Sequence, residues 1–133
     1  MKEAFYDLRK NDEAKQPYHW NLVAPNNEVI LTSEQYSSKQ MAKHGISSVR
    51  ENCEDDANYR SEVASDGRAY FVLIAQNYEI IGNSQMYSSE EARDKGIEAV
   101  KKYGKNAELK DNTGEGERKT KVITSPPKPW LSC

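Results

Sequence analysis

A repeat with a constant offset of 51 positions is the feature that most constrains this chain. Residues 22–49 align with residues 73–100 without a gap, and twelve of these 28 positions carry the same residue. A match of that length and density indicates a duplicated structural unit and not a shared composition. The chain is therefore predicted to contain two copies of one unit.

The length of the chain limits how these copies can fold. With 133 residues the chain has the size of one small domain, and a unit of about 50 residues buries too little of its surface to be stable alone. The two copies are therefore expected to share one core. We place the first unit at residues 1–56, the second at 57–110, and a tail, predicted to be disordered from its Gly, Lys, Thr and Pro content, at 111–133.

Each unit is predicted to contain three β-strands. Residues 18–24 and 68–74 are rich in aromatic and β-branched residues, and each is followed, after an asparagine, by a second run of strand-forming residues. Asparagine tolerates the left-handed backbone conformation, so Asn26 and Asn77 indicate hairpins with two-residue loops. Further short strands are predicted at residues 5–8, 59–63 and 106–110.

One helix follows the strands in each unit. Ser37 and Ser88 each lie three residues before a Gln or a Glu, which is the capping-box spacing, and Tyr36 with Met41 has the spacing of a hydrophobic staple. Gly104 is predicted to end the second helix in the left-handed conformation. Apolar and small residues recur on one face of each helix at Met41, Gly45, Ile46, Val49 and Cys53, and at Ala92, Gly96, Ile97, Val100 and Tyr103.

Together these elements predict an α+β fold of two tandem β-β-β-α(-β) repeats. The repeats are expected to share one antiparallel sheet, with both helices on one face. Gly45 and Gly96 lie in the middle of the helices, where glycine is unfavourable, so the helix backbones are expected to come close to the sheet.

The repeated motifs resemble those of the YegP-like family of small bacterial proteins, in its duplicated form. The shared motifs are Leu-x-Ala-x-Asn, Glu-x-Ile, Tyr-Ser-Ser and Gly-Ile-x-x-Val, each present twice within residues 4–112. The resemblance implies β-β-β-α-β units that share one sheet and exchange C-terminal strands, and it implies no activity. This chain departs from the family at the hairpin tips, where Asn-Asn and Asn-Tyr stand in place of the common Asn-Gly, and in a long first loop at 10–17.

Charge and composition argue against several classes of function. The 19 basic and 21 acidic side chains leave a net charge of −2, which does not favour a mainly electrostatic partner such as nucleic acid or an acidic membrane. No apolar run approaches the roughly 18–20 residues that span a bilayer, and the first residues do not resemble a signal peptide. With only two cysteines, a disulfide scaffold is not expected. A cytoplasmic location is predicted.

No catalytic, cofactor or metal site is predicted. His19 and His44 lack a histidine counterpart in the second unit, and Cys53 is expected to be a small core residue. Metal-ligand spacings and a phosphate-binding glycine loop are absent from the sequence. An enzyme without a recognisable motif stays an open alternative.

Among the repeated residues, two pairs have no evident structural role. Glu28 with Glu79 would suit acid–base chemistry if the two carboxylates met, but solvated strand ends are the simpler interpretation. Ser33 with Ser84 forms the other pair.

A binding surface is better supported by strand alternation. Trp20, Leu22, Phe71 and Leu73 are expected to face the helices, which leaves a possible apolar patch on the other face of the second unit. The patch is predicted to comprise Tyr70, Val72, Ile74 and Ile81. It would serve as a protein-interaction or self-association surface, unless neighbouring polar side chains or the tail cover it.

Two alternatives use other residues. Single-stranded nucleic acid would stack on the sheet through Tyr70, His19 and Trp20. The phosphates would then contact Lys39, Lys43, Arg50, Lys101 and Lys102. The tail segment 126–130, with three prolines and Trp130, is typical of a polyproline II ligand for a groove, although a solvated appendage is the simpler interpretation.

Overall fold

A computed structural model describes residues 3–114 of the chain and contains seven strands and two helices. The strands are β1 (Phe5–Lys10), β2 (Tyr18–Val23), β3 (Val29–Ser33), β4 (Tyr59–Val63), β5 (Ala69–Ile74), β6 (Ile80–Asn83) and β7 (Glu108–Asp111). The helices are α1 (Lys39–Asn52) and α2 (Glu90–Tyr103), and a 3-10 turn, Asp56–Asn58, leads into β4. From residue 115 onward the predicted tail lies outside the described residues.

All seven strands form one sheet in the order β4-β5-β6-β3-β2-β1-β7. The two units meet at its centre, where β3 and β6 pair antiparallel with Ser33 opposite Gly82. The predicted shared sheet is therefore confirmed. The prediction that all strands pair antiparallel is wrong for one strand, because β7 pairs parallel with β1. The reason is that α2 carries the chain across the sheet to the outer edge of the first unit, so a strand of the second unit closes the first.

The helices cross the boundary between the units. α1 packs on β2 of its own unit and on β6 of the other, whereas α2 packs on β5 of its own unit and on β3 of the other. Trp20 and Phe71, which are 51 positions apart, are both fully buried beneath them. Tyr6 meets the Trp20 ring edge-on with the ring centres 5.4 Å apart, and Tyr59 meets Phe71 in the same way at 5.8 Å. Each half therefore completes the core of the other.

The helix caps lie one residue later than the sequence predicted. The hydroxyl of Ser38 accepts a hydrogen bond from the Met41 backbone N–H at 3.1 Å, and Ser89 caps α2 through Ala92 at 3.0 Å. The capping-box assignment of the preceding serines is wrong because, in each Ser-Ser pair, the second serine has the extended backbone conformation of the N-cap.

The residues predicted to form a staple play different parts. Met41 is 54% exposed and therefore does not form one. Tyr36 instead lies against the middle of α1, where a Cβ on Gly45 would overlap its hydroxyl group. Tyr87 occupies the same place beside Gly96 of α2. These glycines therefore permit a close approach, as predicted, although the group that approaches the helix is a tyrosine ring.

Gly104 also differs from the prediction, because its φ of −62° is right-handed. A side chain there would come within 2.8 Å of the Val100 carbonyl oxygen, so close contact and not a left-handed turn favours glycine at this position.

Three hairpins share one loop geometry. In the β2–β3 hairpin, the Asn27 N–H donates to the Ala24 carbonyl at 2.9 Å and the Ala24 N–H donates to the Glu28 carbonyl at 2.8 Å. The predicted two-residue loops are therefore wrong, since a turn followed by one left-handed residue forms each loop. The left-handed residues are Asn27, Gly67 and Tyr78, with φ values of 74°, 89° and 70°.

Candidate binding surfaces

The predicted patch divides between the two sides of the sheet. Tyr70, Val72 and Ile74 alternate along β5 with Phe71 and Leu73, which belong to the core cluster beneath the helices. The first three therefore lie on the opposite side, which we call the open face because within residues 3–114 no helix packs on it. Val72 is only 6% exposed, while Tyr70 and Ile74 are half-buried.

Ile81 was expected to join this patch, and that expectation about its position is wrong. Its side chain is 4% exposed and belongs to the core cluster. A register shift between Leu73 and Ile74 in the β5–β6 pairing adds one residue to β6, so simple alternation does not give the direction of Ile81.

Polar neighbours cover the centre of the open-face patch. Arg60 of β4 and Asn83 of β6 stand on either side of Val72, and Glu62 stands beside Tyr70. Arg60 and Glu62 form an ion pair at 2.6 Å. The surface therefore has an apolar centre with a charged border, which is the composition of many protein interfaces.

The nucleic-acid alternative loses much of its support. Trp20 is fully buried in the core and cannot stack on a base, so its assignment as a stacking residue is wrong. The proposed phosphate contacts come from the helices, and three of the five have other partners. Lys39 pairs with Asp111 at 2.8 Å, Lys101 pairs with Asp56, and Arg50 donates to the Ala107 carbonyl at 2.7 Å.

Ser33 and Ser84 prove to be structural. The Ser84 hydroxyl accepts a hydrogen bond from the Phe71 N–H at 3.0 Å and donates to the Gln85 carbonyl at 2.7 Å. Ser33 forms the same two bonds, from Trp20 at 2.9 Å and to Glu34 at 2.6 Å. Each hydroxyl therefore accepts the hydrogen bond of a strand N–H group that a backbone carbonyl would otherwise accept.

The candidate catalytic residues do not assemble into a site. Cys53 is fully buried, and burial followed by the charge of Glu54 raises the pKa of its thiol. His19 lies on β2 and His44 on α1, at different sides of the sheet. In the described part of the chain, no cluster of three or more His, Cys, Asp or Glu side chains is suited to a metal ion.

The structure reveals a pair of clefts that the sequence did not indicate. The α1 cleft, with a volume of about 460 Å³, lies between the first half of α1 and the tip of the β5–β6 hairpin. The α2 cleft, of about 520 Å³, lies between α2 and the β2–β3 hairpin. Each cleft therefore combines a helix from one unit with a hairpin from the other.

Residues 51 positions apart line the two clefts. These pairs are Tyr36 and Tyr87, Met41 and Ala92, His44 and Lys95, Gly45 and Gly96, Ser48 and Ala99, Ala75 and Ala24, Asn77 and Asn26, Glu79 and Glu28, and Ile81 and Ile30. Glu28 and Glu79 therefore do not meet, and each faces the helix of the other unit. The offset alone identifies the pairs, but the crossed helix packing that joins them is not visible in the sequence.

A tyrosine forms part of the wall of each cleft. Burial raises the pKa of Tyr36, and the charge of Glu34 acts in the same direction. Burial likewise raises the pKa of Tyr87. Both phenols are therefore neutral at physiological pH and can act as hydrogen-bond donors or acceptors.

The described helices also bear on the membrane question. Neither α1 nor α2, the two α-helices found between residues 3 and 114, is long and apolar enough to cross a bilayer.

The fold and the paired clefts define a class: a tandem-duplicated α+β domain whose two units share a sheet and exchange helix contacts. A family model described as "Domain of unknown function (DUF1508)" matches this chain twice, at residues 13–59 and 64–111. The chain belongs to this family, whose curated relatives carry the name UPF0339. The resemblance to YegP-like proteins in their duplicated form is thereby confirmed.

Relatives and solved structures agree with that assignment. The UPF0339 protein ACIAD0721 of Acinetobacter baylyi is 52% identical over 97 residues, which cover 73% of this chain and 87% of the relative. The solution NMR structure of YegP from E. coli has a TM-score of 0.78 at 41% identity, covering 87% of this chain and 98% of that one. A UPF0339 protein structure from Shewanella oneidensis also has a TM-score of 0.78, at 45% identity with 87% and 97% coverage.

Proposed function

We propose that this domain is a protein-interaction module and that its open face, centred on Tyr70, Val72 and Ile74, is the contact surface. The observation that carries the proposal is the apolar strip on β5, on which no helix of residues 3–114 packs and which has a charged border. Val72 forms a buried floor, and the half-buried Tyr70 and Ile74 stand beside it. A buried apolar centre surrounded by polar groups excludes water in the way that binding hot spots require.

The size of the face sets the kind of contact it can form. Seven strands at about 4.8 Å spacing give a width of about 29 Å, and four to six residues per strand give a length of about 13–20 Å. The resulting area of about 400–600 Å² is below the roughly 800 Å² per partner of a standard interface, so the face suits a weak, transient contact. A partner is expected to present an apolar side chain to the β5 strip and opposite charges to Arg60 and Glu62.

Ile74→Arg tests this proposal with little risk to the fold, because Ile74 is only half-buried. Val72 is unsuitable, since a charge at this buried position would destabilise the domain. Ser47→Arg, at an exposed position of α1, is the matched control with the same added charge. Light scattering should show whether the wild-type chain self-associates, and cross-linking followed by capture should show which partner contacts the face.

Association is expected to survive Ser47→Arg and to be lost in Ile74→Arg. If the two variants retain the same partner and the same mass, the open face is not the contact surface. The circular dichroism of both variants should match that of the wild type, which separates loss of binding from loss of folding.

A further inference from the structure

We propose that the α1 cleft binds the chain's own segment 128–131, with Trp130 in contact with Met41 and Ile80. The proposal begins from the way the two clefts differ. Met41 and Ile80 line the α1 cleft, where the equivalent positions of the other unit carry Ala92 and Val29. The cleft built on α1 therefore carries the larger apolar side chains at these two positions.

Much of this apolar surface is exposed to solvent in the described part of the chain. Met41 is 54% exposed, Ile80 is 45% exposed, and Tyr78, between two residues that line the cleft, is 88% exposed. They are three of the five large apolar side chains that are exposed in the part of the chain covered by the structure. Such a concentration of exposed apolar groups around a concave surface is typical of a binding site.

Charge distinguishes the clefts as well. In the α2 cleft, Glu28 is balanced by Lys95. In the α1 cleft, the lining within residues 3–114 contains the carboxylates of Glu34 and Glu79 and neither Lys nor Arg. A suitable occupant therefore combines a large apolar side chain with a cationic one.

The segment 126–131 has this composition, with the sequence Pro-Pro-Lys-Pro-Trp-Leu. Proline restricts the backbone before binding, so less conformational entropy is lost when such a segment docks in a groove lined by aromatic residues. Lys128 lies two residues before Trp130, which allows the ammonium group to approach Glu79 while the indole contacts the apolar rim.

The last strand of the described structure ends near the start of α1. Asp111, at the end of β7, forms an ion pair with Lys39 at 2.8 Å, and Lys39 lies between two residues that line the cleft. Although partial burial acts to raise the pKa of Asp111, hydrogen bonds from Lys39 and Thr113 outweigh it and lower the pKa to about 2. The carboxylate is therefore ionised at neutral pH and keeps β7 attached to the start of α1.

The intervening chain is long enough to reach the cleft. Trp130 lies sixteen positions after Gly114, and a random-coil chain of that length has a root-mean-square span of about 20–24 Å. A linker of this size gives an effective concentration of the order of millimolar, so a cleft with millimolar intrinsic affinity is about half occupied. Binding within one chain therefore requires only weak contacts.

The test uses the full chain and NMR spectroscopy. Nuclear Overhauser effects are expected between the Trp130 indole and the methyl groups of Met41 and Ile80. In Trp130→Ala, these methyl signals should shift, whereas those of Ala92 and Val29, at the equivalent positions of the repeat, should not. Unchanged Met41 and Ile80 signals would overturn the proposal. Shifts that depend on protein concentration would also overturn it, because they would indicate docking between chains.

Fluorescence quenching gives an independent measurement. Trp20 is fully buried, so iodide should report on Trp130 alone. Met41→Ala makes the α1 cleft resemble its counterpart and is expected to raise the quenching constant about twofold, since an occupancy near one half is lost. Glu79→Gln should raise it less, and the matched variant Glu28→Gln should leave it unchanged. Equal quenching in the wild type and Met41→Ala would contradict docking.

Discussion

Replacing Ser84 by alanine should destabilise the domain far more than a serine-to-alanine change normally does. The residue is 3% exposed, and its hydroxyl is the partner of the buried Phe71 N–H. Alanine would leave that N–H without a hydrogen bond, which costs about 1–3 kcal/mol. The Gln85 carbonyl, which accepts from the same hydroxyl, belongs to an exposed residue and can bind water, so its loss adds little.

Urea denaturation followed by circular dichroism measures this effect. With a slope of about 1–3 kcal/mol per molar urea, a loss of about 2 kcal/mol lowers the midpoint by about 1 M. Ser33→Ala should give a similar loss, because Ser33 holds the Trp20 N–H in the same way. Ser37→Ala is the control, since this exposed serine caps nothing.

The reasoning is refuted if Ser84→Ala loses less than about 0.5 kcal/mol, the range of ordinary surface substitutions. It is also refuted if Ser84→Ala and Ser33→Ala differ by more than about 1.5 kcal/mol, because the two environments would then not be equivalent.

Three further outcomes follow from the caps, the loops and the last strand. Ser89→Ala should lose about 1 kcal/mol in urea denaturation, whereas Ser88→Ala should lose less than about 0.5, which distinguishes the observed cap from the predicted one. Tyr78→Gly should gain about 0.5–1 kcal/mol by relieving a left-handed backbone at an exposed site, and Gly67→Tyr should lose a similar amount in thermal unfolding. The pKa of Asp111, about 2 when folded, lies below its unfolded value of about 4, so its stabilisation is present above pH 4 and lost as the pH falls towards 2. Asp111→Asn should therefore flatten that part of the curve of unfolding free energy against pH, measured by denaturation between pH 2 and 6.

Much of the fold could be predicted because the sequence patterns of strands, turns and helix starts occur in both units. Residues 59–63 were predicted as a strand and form β4, and a strand was expected near Leu109 and is β7. The direction of β7 could not be predicted, since it depends on where α2 crosses the sheet. Which serine of each Ser-Ser pair caps its helix could also not be predicted. Both serines have a hydroxyl that can accept a backbone hydrogen bond, and only the backbone conformation selects the second.

The candidate surfaces were harder to predict for a different reason. Strand alternation correctly separated Val72 from Leu73, but it failed at Ile81, where a bulge changes the direction of the side chain. The clefts depend on contacts between units, and no spacing along the chain shows that Glu79 faces α1. Comparing equivalent positions, such as Met41 with Ala92, becomes informative once the structure shows that they share a surface.

The crossed packing of the helices has a consequence for how the two copies change with time. Because α1 packs on β6 and α2 packs on β3, a substitution in the β2–β3 or β5–β6 hairpin alters contacts with the helix of the other copy. Trp20 and Phe71 keep the class of large aromatic residue, but other buried positions differ, since Leu31 corresponds to Gly82 and Ala42 to Arg93. The rims of the clefts differ as well, as Met41 and Ala92 show. Duplication in this fold preserves one scaffold and produces two surfaces on which selection can act separately.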